Sequence, residues 1–136
     1  MTNSQQIGAL VLRLALGVMF LAHAGLKIFV FTLPGTAAFF AAQGFPAWTA
    51  YPVVAGELLA GVTLIAGVQV RLVSLATLPI LVGALAVHLP NGWVFSAPNG
   101  GWEYPALLAV LVIVQALIGE GAYALRWTAS RRLAHA

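Results

Sequence analysis

The sequence predicts an all-α integral membrane protein, a four-helix bundle with both termini on the cytoplasmic side. Three observations carry that prediction. The 136 residues are 62% hydrophobic and 7% charged, with a mean hydropathy of +0.99, whereas a soluble domain carries roughly 25% charged residues. The apolar residues form four long runs, at 7–31, 51–68, 72–89 and 104–125. The arginines gather on one side of those runs. The length suits one domain.

Each run holds about 18 or more residues, and about 20 residues at 1.5 Å rise cross a hydrocarbon core near 30 Å. In hydrocarbon every peptide group must be paired within its own segment or a closed barrel, and continuous apolar runs lack the alternation of barrel strands. The runs are therefore read as helices. Pro105 falls in a first helical turn, which tolerates proline, while Pro79 lies inside the third run and is expected to bend it. Gln69, Val70 and Arg71 separate the second and third runs and predict a tight antiparallel hairpin.

Between the first two runs, Thr36 to Gln43 followed by Gly44 and Pro46 predicts a short interfacial helix with a glycine stop. Pro90 to Trp102, with Trp93, Asn99, Gly100 and Gly101, reads as an aromatic-rich turn at headgroup level. These two loops carry no Lys or Arg, whereas Arg71, Arg126, Arg131 and Arg132 share the opposite side. The positive-inside rule then puts that side in the cytoplasm. Ala15, Gly17, Ala22 and Gly25 in the first run, and Gly56, Ala60 and Gly61 in the second, are assigned to close helix packing.

Several functions are disfavoured. The net charge of +3 comes from scattered residues with no basic and aromatic stripe, so it is read as topology and no nucleic-acid partner is expected. With no cysteine there is no disulfide, thiolate metal site or dithiol exchange, and any redox role needs a bound cofactor or a partner. The first run with Ala22-His23-Ala24 has the outline of a signal peptide, but it lacks a basic n-region and Arg13 interrupts it, so retention is expected. Gly119-Glu120-Gly121 lacks the strand and third glycine of a dinucleotide fingerprint.

Ionisable groups inside a bilayer cost about 2.5 to 3.5 kcal/mol each on insertion scales and mark functional sites by default. On the first helix Arg13, His23 and Lys27 fall within an arc of roughly 80°. Glu57 lies at a depth similar to His23, His88 ends the third run and Glu103 opens the fourth. The expected outer cluster is His23, Lys27, Glu57, His88 and Glu103, with His23 and Glu57 as its deep, acting pair. Lys27 reads equally as snorkelling to the interface, Glu103 as a helix cap, and His88 as an interfacial histidine bonded to a carbonyl. Near the inner surface, Arg13 and Glu120 are expected to form a structural ion pair.

The segments Arg13-Leu-Ala-Leu-Gly17, His23-Ala-Gly-Leu-Lys27, Gly56-Glu57 through Gly61, Gly67 to Arg71, His88 and Gly101-Trp-Glu103-Tyr104 resemble the DoxX family of small four-helix membrane proteins. The similarity runs from about Ile7 to Trp127, and its order and spacing are more telling than any one piece. The family's terminal GxG pattern is present as Gly119-Glu120-Gly121, but its common Ser and Asp beyond are replaced by Ala124 and Arg126. The resemblance implies an accessory or small subunit of a membrane redox system, such as thiosulfate:quinone or quinol oxidases, in a bacterial plasma membrane.

Three functions then compete. In the first, a quinone ring sits between helices, His23 and Glu57 bond its carbonyls and relay protons, and a membrane or periplasmic redox partner supplies electrons. In the second, His23 and His88 bind haem or a metal ion, against which Lys27 stands nearby and further ligands are few. In the third, the chain is a non-enzymatic assembly or structural subunit that recognises a partner, or a second copy, through helix faces. Transport is disfavoured by the narrowness of a four-helix pore and the lack of an inverted repeat.

Overall fold

The computed structural model describes residues 1–125. Among them all regular structure is helical. Helix α1 spans Asn3–Gly25 and continues as a π-helical turn, Leu26–Val30. Helix α2 is Leu33–Ala42, α3 is Ala50–Ala66, α4 is Val70–Ala76, α5 is Leu78–His88 and α6 is Glu103–Ile118. Three continuous helical stretches are long and apolar enough to cross a membrane: Asn3–Val30, Ala47–Ala66 and Val70–Asn91. The expected fourth run is also an apolar helix, but it is shorter than expected and stops at Ile118.

Local chemistry explains the boundaries. Thr2 and Gln5 form a reciprocal capping box at the start of α1. Helix α3 ends at Gly67, whose φ of 76° suits a residue without Cβ, so the hairpin turn begins two residues earlier than the sequence suggested. Pro79 does interrupt the third run. Lacking an N–H, it leaves a one-residue turn at Thr77 between α4 and α5 within the continuous helical stretch. The fourth run fails to reach Leu125 because Gly119, at φ 85° and ψ −157°, ends α6 in a conformation that hydropathy does not reveal.

Buried residues follow helical stripes: Ala9, Arg13, Leu16, Gly17, Phe20 and Ala24 in α1, and Ala50, Val54, Glu57, Ala60, Gly61 and Leu64 in α3. One apolar core joins Leu16 and Phe20 of α1, Leu64 of α3, Val70 of α4, Leu81 of α5 and Val112 of α6. Helices α1 and α3 meet most closely where Gly17 faces Gly61, and a Cβ on Gly61 would stand 2.9 Å from the Gly17 carbonyl oxygen. Gly25, by contrast, faces open space.

The inner end is held differently from the sequence expectation. Arg13 is buried and donates from Nη2 to the Ala122 carbonyl at 3.0 Å. Among the described residues no ion pair within 4.0 Å joins it to Glu120, so the proposed structural pair is replaced by a cation-to-backbone bond. The chain turns at Gly119 and Gly121, which brings a carbonyl rather than the Glu120 carboxylate to the guanidinium. Arg71 Nη1 donates to the Ala116 and Leu117 carbonyls, both at 3.1 Å, and so satisfies orphan groups at the end of α6. Arg126, Arg131 and Arg132, which contribute to the charge asymmetry, lie outside the described residues.

Gly8, early in α1, is helical, and a Cβ there would meet nothing within 4 Å. Gly8→Ala is therefore expected to raise stability by about 0.5–1 kcal/mol through reduced unfolded-state entropy. Reversible unfolding in mixed detergent micelles measures it.

Candidate functional site

All five residues of the expected outer cluster line one cavity of about 1290 Å³. The hydrogen bonds within it differ from the expected pairing. Glu57, 4% exposed, binds Lys27: Nζ donates to Oε1 at 2.8 Å and to Oε2 at 3.0 Å. Among the described residues this is the ion pair the chain contains. Lys27 is thus part of the site and does not point away to the interface.

The reason lies in helix direction. Measured outward from the Gly17–Gly61 crossing, Lys27 lies roughly 15 Å along α1 and Glu57 roughly 6 Å along α3, at 1.5 Å per residue. Side chains lean toward the N-terminus of their helix. The two helices are antiparallel, so Lys27 leans inward and Glu57 leans outward, which closes the gap. His23, closer to Glu57 in depth, also leans inward and past it. Its Nδ1–H donates to the Met19 carbonyl at 2.8 Å.

The π-helical turn contains Lys27, and wide turns of this kind recur at functional sites. The Phe31 N–H reaches the Leu26 carbonyl at 2.9 Å. Thr36 Oγ1 donates to the Lys27 carbonyl at 3.1 Å and to the Thr32 carbonyl at 2.9 Å, which ties α2 to the turn. Thr32 itself stands at φ 64° and caps α2 by accepting from the Gly35 N–H. A short helix is present where one was expected, at Leu33–Ala42 rather than from Thr36, and forms one wall of the cavity.

His88 follows the same rule as His23: its Nδ1–H donates to the Ala84 carbonyl at 2.7 Å. With Nδ1 committed to a carbonyl, each neutral ring carries its lone pair on Nε2. Glu103 opens α6, but its carboxylate accepts from the Phe95 N–H at 3.0 Å and so fastens the outer loop. Trp93 and Trp102 pack edge to face in that loop, with centroids 5.3 Å apart.

Tyr104 stands beside the cavity residues although it was not among the expected site residues. Its ring stacks on His23 at 5.9 Å and 24°, and its hydroxyl donates to Met19 Sδ at 3.5 Å. Tyr104 thereby buttresses the imidazole on the side opposite its own helix. The available signal was a tyrosine, with a polar tip on an apolar ring, at the outer end of a span and next to Glu103. Among the described residues no three His, Asp or Glu side chains converge as a metal site.

The arrangement has two chemical properties. Its cation and its deep carboxylate neutralise one another, and the Glu103 carboxylate at the rim is held by a backbone N–H, so the deep part of the cavity favours an uncharged guest. Its remaining polar capacity includes the third Lys27 N–H, the two histidine Nε2 atoms, the Glu103 carboxylate and the Gln43 amide, set in a wall built mainly of aliphatic and aromatic side chains.

Fold and site together define a small helical membrane protein with a ligand-sized cleft among its spans. The chain belongs to the DoxX family, whose model matches residues 8–90. It is 35% identical over 121 residues to a Bacillus subtilis (strain 168) protein described as "Putative oxidoreductase CatD", a match covering 88% of this chain and 85% of that protein. No solved structure matches.

Proposed function

We propose that this chain is a quinone-interacting subunit or accessory protein of a membrane redox system. In this reading four helices cross a bacterial plasma membrane with both termini in the cytoplasm, and the cavity lies toward the outer face. At 16 residues α6 covers roughly 24 Å of a core near 30 Å, and a thinner local bilayer or a tilt of its neighbours accommodates the difference. The uncharged loops on one side and Arg71 on the other support this orientation.

The observation that carries the reading is the charge-neutral Lys27–Glu57 pair in an apolar cavity, flanked by two histidines with Nδ1 committed. A quinone is an uncharged ring with two carbonyl oxygens and needs an apolar slot with polar contacts for each. Lys27 donates to one carbonyl while Glu57 holds it in place. His23 Nε2, steadied by Tyr104, and His88 Nε2 accept protons from the reduced ring or return them to the oxidised ring. Two electrons and two protons interconvert quinone and quinol, and the electrons pass to or from a redox protein partner. The oxidoreductase name of the Bacillus relative agrees with such a role. Exposed Trp48, Trp93 and Phe95 at the outer end suit lipid headgroups or that partner.

Protein purified in mild detergent is expected to carry extractable lipid quinone and to perturb the ultraviolet absorption of added quinone. Glu57→Gln weakens that binding about tenfold, because a hydrogen bond to a charged partner contributes about 1.5–3 kcal/mol. Absence of both copurified quinone and the spectral change overturns the reading. A loss of subunit recovery in the same variant, with quinone binding intact, supports the assembly role in its place.

A further inference from the structure

The cavity exceeds what a ring needs. Its 1290 Å³ is larger than the roughly 300–1,000 Å³ of drug-sized pockets. The groups able to bond a ring, Lys27, His23 and His88, take up only part of its wall. The rest includes Ile80, Gly83 and Val87, which lie one helical turn apart along a single face of α5.

That face diverges from α3. Near the Pro79 break the two helices are close, since a Cβ on Gly56 would lie 3.2 Å from Ile80 Cδ1. One turn further out, a Cβ on Gly83 would meet nothing within 4 Å, although Gly83 lines the cavity. The third span is also the least buried of the three long ones. The clearance beyond Ile80 leaves an open slot beside Gly83, next to the Pro79 interruption.

We propose that this slot, between α3 and α5 at Gly83, is a binding subsite for the hydrocarbon tail of a lipid-soluble quinone, which enters sideways from the bilayer. The inference rests on the quinone reading above. It adds to that reading the place where the tail of the lipid quinone is held and the side from which it enters. The slot belongs to the same cavity as the ring site, and on the α5 side it is lined by Ile80, Gly83 and Val87.

The test uses full-length protein in lipid nanodiscs with two probes, a benzoquinone bearing a long isoprenoid tail and the same ring without a tail, each titrated by tyrosine and tryptophan fluorescence. The wild type is expected to prefer the tailed ring. Gly83→Trp is expected to cut that preference about tenfold, as the indole fills the slot and the tail loses its many close van der Waals contacts with the protein. Gly83→Leu cuts it less. Val82→Trp adds the same bulk on the exposed face of α5 and preserves the ratio. A wild type that binds both rings equally, or a Gly83→Trp ratio equal to wild type, overturns the tail subsite and leaves the quinone reading standing. A wild type that binds neither ring removes both.

Discussion

Replacing Glu57 with leucine is expected to destabilise the fold by about 3 kcal/mol, near the low end of the 3–5 kcal/mol seen when one member of a buried pair is removed. The lower figure is appropriate because the Lys27 side chain is 18% exposed and regains some solvent or headgroup contact. Leucine leaves an ammonium facing apolar walls with neither of its two carboxylate bonds. The double variant Lys27→Met with Glu57→Leu removes both charges. It is expected to recover most of the loss, because well-packed apolar replacements of a buried pair are often neutral or stabilising. Unfolding of all four proteins of the cycle in mixed micelles gives the coupling directly. Quinone binding is expected to be lost in the double variant despite its recovered stability. Recovered stability together with retained binding would show that the pair holds the helices and does not serve the ligand.

Much of this site was legible in the sequence, and the failures share a physical cause. His23, Lys27, Glu57, His88 and Glu103 were singled out because ionisable side chains in apolar runs are rare, and all five do line one cavity. Their pairing was not legible. Depth along a helix places Cα atoms, whereas contact depends on which way side chains lean, and the antiparallel arrangement of α1 and α3 brings Lys27 rather than His23 to Glu57. The π-helical turn at Leu26–Val30 has no signature in hydropathy. At the inner end the same gap recurs. Glu120 lies close to Arg13 in depth, but the turn set by Gly119 and Gly121 presents the Ala122 carbonyl to it. The first three spans were read almost to their ends because proline, left-handed glycine and long apolar runs are sequence-local. The fourth was overrun because its stop is a single glycine within residues that remain apolar on average.

The seam between α1 and α3 carries the second large effect. Gly61→Val is expected to lower stability by about 2 kcal/mol, within the 1–3 kcal/mol typical of overpacking. A Cβ on Gly61 meets the Leu21 side chain at 2.6 Å, which a rotamer change can relieve, and the Gly17 carbonyl oxygen at 2.9 Å, which it cannot. The reciprocal position is equally closed, since a Cβ on Gly17 would lie 3.0 Å from the Gly61 carbonyl oxygen and 2.7 Å from Ile65 Cγ1. Relief therefore requires the two helices to separate. Without a water-driven hydrophobic effect inside the bilayer, that loss of close packing is not offset by burying the added methyl groups. Gly61 is one turn from Glu57, so separation also lengthens the reach from Lys27 to its carboxylate. Gly61→Val is thus expected to weaken quinone binding although it touches no polar group of the site, while Gly8→Ala in α1 leaves it unchanged. Measuring stability and binding on both variants separates a general effect of adding bulk to glycine from the specific requirement for contact at Gly17 and Gly61. If Gly61→Val preserves stability, the helices tolerate a wider crossing and the Lys27–Glu57 geometry is set elsewhere, by the π-helical turn and its Thr36 tether.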